Sequence, residues 1–379
     1  MRTLRWIWPL VAVALAVLVP WIGYALRAAR PIPLVVLDKT VPFRNWIEHR
    51  SLFWLLDHDR IVHGDGTPYA FDRDYLGAYP PPVAGDPPER TRDLAADDVR
   101  GARLVYLADT YGVYRDDLAS GPRMAAALER SPKIYGGLTP AEAEAAAATP
   151  REGRTLVAEF NTLGSPTEPE ARTVLESALG VHWTRWIGRY FPHLDDQGEV
   201  PQWMRDDYER EWKQPWKFEG PGYVLMQDDE HCEVLRIGPE AEAIGLTIER
   251  DEKDGTLRRA ADLVPYPYWF DVVEETGAVR AASFQWHLTP EGRARLVARK
   301  LPDRFPAVTR RPSPGGGTAW YFAGDFADNP MDPRPVPFLG YTVFRRVTEG
   351  MKLAPSETAF YWRFYVPMIE AILRDAEGR

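Results

Sequence analysis

The feature that most constrains the fold is a repeated alternation of short apolar run, carboxylate and capped helix. The runs at 34–37, 102–108 and 155–160 are rich in Leu, Val and Ala, as strands buried on both faces are. The first ends in Asp38-Lys39-Thr40 and the second in Asp109-Thr110-Tyr111-Gly112. The third carries Glu159 and ends in Asn161-Thr162-Leu163-Gly164. Between the second and third, Thr139-Pro140-Ala141-Glu142 is a capping box with proline at the first helical position, opening an alanine-rich helix. After the third, Ser165-Pro166-Thr167-Glu168 reads as a second box, opening a helix that stops at Gly180. Strands separated by capped helices predict a mostly parallel sheet with helices on its faces, a three-layer α/β domain.

Helix-period spacing over Trp46, Leu52, Phe53, Leu55 and Leu56 follows the first strand, and the Pro-, Gly- and Asp-rich stretch 64–100 reads as a long surface excursion. After about residue 190 the rhythm changes. Trp203, Trp212 and Trp216 precede segments at 222–226, 233–237, 269–273 and 281–288 that alternate apolar and polar residues, as half-exposed antiparallel strands do. Residues 200–288 are therefore expected to form an inserted β-rich, aromatic lobe. The α/β core occupies 31–199 and resumes over 289–379. Its last strand, 318–322, leads to Asp325, and a terminal helix over 357–374 carries Phe360, Phe364, Met368 and Ile372 on one face.

Residues 6–26 are 21 residues without a charge, between Arg2 and Arg5 on one side and Arg27 and Arg30 on the other. At 1.5 Å per residue such a helix matches a hydrocarbon core of about 30 Å. Trp6, Trp8, Trp21 and Tyr24 fall near its ends, where aromatic rings favour the headgroup zone. The expectation is an uncleaved anchor over 1–30, a bilayer partner through 6–26, and a single-pass cell-membrane protein with its bulk outside the cytoplasm.

The balance of 46 basic against 55 acidic side chains, with no long basic run, excludes a nucleic-acid footprint. One cysteine, Cys232, excludes an internal disulfide framework and a Cys-based zinc cluster. There is no His-Glu-x-x-His, no Gly-x-Ser-x-Gly and no phosphate loop, and Cys232 lacks the strand-turn-helix setting of a nucleophile. Asp228, Asp229, Glu230, His231 and Cys232 read as a solvated turn rather than a metal centre. No cofactor and no metal are expected.

Ligands of open parallel sheets bind beyond the carboxyl ends of the strands. Asp38, Asp109, Glu159 and Asp325 are therefore the candidate catalytic carboxylates. Gathered in one cleft they can hold a divalent cation, act as an acid/base pair or hydrogen-bond sugar hydroxyls; singly, each merely satisfies its own turn. Asn161, Thr162 and Ser165, around Gly164, either line an anion site at a helix N-terminus or simply cap it. Segment 182–191 alternates aromatics with arginines, so Trp183, Arg185, Trp186 and Arg189 read as a sugar-stacking platform or, more plainly, as core rings beside surface cations. His49 is placed to reach Asp38 and reads as structural.

This order of motifs resembles the class I glutamine-amidotransferase-like fold over 33–190 and 300–345, and in particular its non-catalytic, membrane-anchored branch. The resemblance aligns 34–38 with the first strand of that fold and 102–109 with the strand before its glycine-rich turn. It aligns 155–164 with the strand and elbow that carry the nucleophile, and Tyr321-Phe322-Ala323-Gly324-Asp325 with the closing strand. The chain departs from the catalytic pattern at Glu159-Phe160-Asn161, which has no cysteine, and in the final strand, which has no His-x-Glu pair. The resemblance thus implies the architecture without glutamine hydrolysis.

Three functions fit these readings. The first is an anchored, non-catalytic module that binds an envelope glycan or a membrane-protein partner. The second is a carboxylate-dependent hydrolase or lyase of envelope carbohydrate. The third is a structural subunit of a transport or polymer-export complex.

Overall fold

The computed structural model describes residues 4–83, 85–120, 132–196, 198–228, 231–329, 336, 338–351 and 357–378. Helix α1 (Leu4–Ala25) precedes strand β1 (Leu34–Asp38) and helix α2 (Ile47–His58). Then come β2 (Leu76–Tyr79), β3 (Arg90–Arg92), β4 (Leu104–Asp109), α3 (Pro140–Arg151), β5 (Thr155–Ala158) and α4 (Pro169–Leu179). The middle of the chain supplies β6 (Val181–Phe191), α5 (Gln202–Trp212), β7 (Gly222–Gln227), β8 (His231–Arg236), β9 (Ala241–Arg250) and β10 (Leu263–Pro265). It continues with β11 (Trp269–Glu275), β12 (Val279–Leu288), α6 (Pro290–Ala298), β13 (Arg304–Pro312) and β14 (Thr318–Phe322). Helix α7 (Tyr341–Gly350) follows, and α8 (Val366–Gly378) ends the described chain after a π-helical turn over Tyr361–Tyr365.

The α/β class holds, but the sheet is mixed rather than mostly parallel. Ten strands run in the order β10-β9-β12-β13-β14-β5-β4-β1-β2-β3. Only the stretch from β14 through β5, β4 and β1 to β2 is parallel. The remaining pairs are antiparallel. Strands β13 and β14 are joined by the short turn 313–317, too short for the crossover that parallel pairing needs, whereas β12 reaches β13 through α6. The stretch 200–288 divides between two sheets. Strands β9, β10 and β12 extend the large one, while β7, β8 and β11 join β6 in a four-stranded sheet.

Residues 64–100 are not a surface excursion throughout: β2 and β3 complete the large sheet, and Tyr75, Leu76, Ala78 and Tyr79 are buried. Gly77 makes this possible. Its φ is +121°, and a Cβ there would lie 1.7 Å from the Asp38 carbonyl oxygen, so the backbones of β1 and β2 meet only without a side chain. The first capping box forms as expected, Thr139 and Glu142 bonding each other's backbone N–H. The second does not. Helix α4 starts three residues later, at Pro169 with Glu168 before it, and ends at Gly180 in the left-handed conformation. Phe360, Phe364, Met368 and Ile372 are all buried.

The expected transmembrane anchor is overturned: among the described residues no helix is long and apolar enough to cross a membrane. The assignment to a single-pass membrane protein, and of 6–26 to a bilayer, falls with it. At its C-terminal end α1 is instead a packing element. Trp21 meets the Phe338 ring edge-on at 6.2 Å, the Pro20 carbonyl accepts the Leu339 N–H at 3.0 Å, and Arg27 pairs with Asp59 at 3.1 Å. The side chains of Trp6 and Trp8, like Asp229 and Glu230, lie outside the described residues.

Candidate functional site

Parallel register brings the strand-end carboxylates together. Asp38 of β1 sits opposite Asp109 of β4, Glu159 follows β5, and Asp325 follows β14. The first three are tied into their turns. Asp38 takes His49 Nδ1 at 2.5 Å and the Thr40 amide at 2.9 Å. Asp109 takes the Thr40 hydroxyl at 2.6 Å, the Tyr111 amide at 2.6 Å and the Asn161 side-chain amide at 3.1 Å. Burial still pushes the Asp109 carboxyl up to about 7 against those bonds. Glu159 accepts the Tyr106 hydroxyl and the Phe326 and Ala327 amides at 2.9 and 3.0 Å, and burial pushes it up to about 8.

Asp325 differs. Its side chain is 7% exposed, and among the described residues no donor hydrogen-bonds its carboxylate. Its oxygens instead face those of Glu48, in the first turn of α2, and of Asp328, all three groups lying within 4.8 Å of one another. Burial first, and the neighbouring carboxylates next, hold Asp325 and Glu48 well above the usual carboxylate range. Arg189 is the cation that opposes this at Asp325. Sequence reasoning missed Glu48 and Asp328. The signal for Asp328 was the Asp-x-x-Asp spacing after the last strand; a glutamate in a helix's first turn carries no such mark, because it suits the helix dipole anyway.

Asp328 and Ile47, the neighbour of Glu48, also line a cavity of about 460 Å³, together with Tyr190, Tyr268, Trp269, Arg189 and Glu199. The Arg189 guanidinium stacks over Trp269, 5.2 Å from the ring centre. A second cavity, about 190 Å³, gathers Asn161, Ser165, Trp183 and Arg185 with Tyr111 and Trp203. A bulge in β6 between Trp183 and Trp186 turns Arg185 out to pair with Asp228 at 2.8 Å. Of the expected ligand contacts, four therefore line the small cavity and Arg189 the large one. Thr162 and Trp186 are buried. Because α4 begins at Pro169, the 161–165 turn does not run directly into a helix N-terminus.

Asn161 occupies the strand-to-helix elbow at φ 65°, and Cys232 lies buried in β8, its thiol pushed up by burial. His231 pairs with Glu211 at 2.9 Å, whereas Asp228 pairs with Arg185.

No family model matches the chain, and no curated protein does. Solved structures do. A glutamine amidotransferase from Thermotoga maritima is 10% identical, covering 92% of this chain and 99% of its own at a TM-score of 0.38. A putative ThuA-like protein from Bacteroides uniformis is 9% identical, covering 87% and 96% at 0.37. The β-galactosidase of Rahnella sp. R3 is 13% identical over 86% of this chain at 0.33, and the chain spans about a third (32%) of its length. The structural neighbours thus include two proteins of glutamine-amidotransferase-like fold, at TM-scores too low to carry an argument about the site.

Proposed function

We propose that this chain is a glutamine-amidotransferase-like module of the non-catalytic kind, and that it binds a carbohydrate in the aromatic cavity beside the strand ends. The observation that carries this reading is the wall itself. Tyr190, Tyr268 and Trp269 bring aromatic rings, and Arg189, Glu199 and Asp328 bring planar polar groups, to the lining of the same 460 Å³ space. A sugar ring presents apolar C–H faces and a belt of hydroxyls that both donate and accept, so it meets both surfaces at once. The volume falls within the range of about 300–1,000 Å³ usual for small-molecule sites. Asparagine rather than cysteine at residue 161 supports a module without amide hydrolysis.

The test is a titration of the full chain with neutral and uronic-acid oligosaccharides, followed by tryptophan fluorescence, with glutamine hydrolysis assayed alongside. The expected result is a saturable change that Tyr268→Ala weakens at least tenfold, with no ammonia released from glutamine. Absence of saturation with every sugar, from a cooperatively folded chain, would overturn the reading.

A further inference from the structure

Two carboxylates beside Asp328, those of Asp325 and Glu48, lack a hydrogen-bond donor among the described residues, and Arg189 is the cation that acts on Asp325. Asp325 is more than nine-tenths buried, points its carboxylate at those of Glu48 and Asp328, and has no hydrogen-bond donor among the described residues. Glu48 likewise has neither a hydrogen bond nor an ion pair there. The contrast with Asp38, Asp109 and Glu159 is direct: each of those has its oxygens engaged by hydroxyl, imidazole or amide donors. A buried carboxylate left without a partner costs on the order of kcal/mol, and like charges at this separation add to that cost.

We infer that Glu48, Asp325 and Asp328 form a binding site for one hard divalent cation, with calcium the best fit. The donor set is all oxygen, which selects calcium, magnesium or manganese over metals that seek nitrogen or sulfur. The number of protein carboxylates narrows the choice. Calcium takes six to eight oxygen ligands, many of them protein carboxylates, whereas magnesium keeps several waters and is held through one or two carboxylates. Three carboxylates within 4.8 Å of one another therefore suit calcium better. Asp328 also lines the cavity, so the cation's remaining positions face the space proposed for the sugar and can be taken by water or by vicinal hydroxyls. The cation site stands without the sugar.

The experiment is calorimetric titration of the full chain, stripped with chelator, with CaCl2, MgCl2 and MnCl2 at pH 7.5 and no sugar present. The expected result is one site per chain, tightest for calcium. Asp325→Asn and Glu48→Gln each weaken it at least tenfold, while Glu291→Gln, an exposed acid on α6, leaves it unchanged. Circular dichroism of the metal-free variants checks the fold. Asp325→Asn removes a repelling charge at constant shape, so it melts no lower than the metal-free parent and loses the rise in melting temperature that calcium gives the parent. Absence of saturable binding by all three cations to the folded chain overturns the inference, and so does undiminished binding by both variants. Because sugar is absent, either outcome leaves the carbohydrate reading to its own test.

Discussion

Two buried ionisable side chains show how much single residues matter here. Lys39, directly after β1, is 2% exposed; its Nζ meets Glu142 at 2.7 Å, the Gly137 carbonyl at 2.9 Å and Asp93 at 3.1 Å. Glu142 in turn caps α3, so one ion pair joins the end of a strand to the start of a helix. Lys39→Met would leave Glu142 buried without its cation, and denaturant unfolding should show a loss of about 3–5 kcal/mol. Asp271 on β11 is the opposite case. It takes the Tyr321 hydroxyl on one oxygen, while the other, near the Trp183 indole, closes no hydrogen bond. Burial pushes its carboxyl up to about 7. The folded chain therefore holds a proton that the unfolded chain releases near pH 4. The stability this confers is complete below pH 4 and is lost as the pH rises to about 7. Asp271→Asn should make the fall in melting temperature between pH 4.5 and 7.5 shallower; an unchanged slope would show that Asp271 is ionised in the fold.

At the scale of elements, what was legible in the sequence was what local chemistry decides. Strands β1, β4, β5 and β14 were readable because they are apolar on both faces, and α3 because Thr139 and Glu142 form its cap. Thr139→Ala should accordingly cost about 1 kcal/mol in thermal or denaturant unfolding. Strand β2 was hidden: it is four residues long, has glycine in its middle and lies in a stretch rich in turn formers. It forms because β1 offers it an edge, a tertiary fact. Gly77→Ala should destabilise the chain by well over the roughly 1 kcal/mol typical of point substitutions, since the methyl group would collide with the Asp38 backbone. A melting temperature equal to the parent's would contradict the close approach of β1 and β2. The anchor reading failed at the same scale. An apolar run marks a surface to be covered, but not whether lipid or protein covers it, and the end of α1 packs on Phe338 and Leu339.

Across the whole molecule, the candidate site draws on segments far apart in the chain. Tyr190 comes from β6, Tyr268 and Trp269 from the entry to β11, Asp328 from beyond β14, and Glu48 from α2. The sequence pointed to the strand ends and to Arg189, because those follow from β–α alternation and from the aromatic–arginine run. It could not supply the tyrosine wall, since that depends on how the four-stranded sheet meets the large one. The central claim is that this wall receives a sugar. Its most direct test is saturation-transfer NMR on the full chain with an oligosaccharide ligand, irradiating the aromatic protons. The account predicts transfer to the sugar ring protons that is lost in a Tyr190→Ala, Tyr268→Ala double variant. Transfer undiminished in that variant, or none from any oligosaccharide to the folded parent, would contradict it.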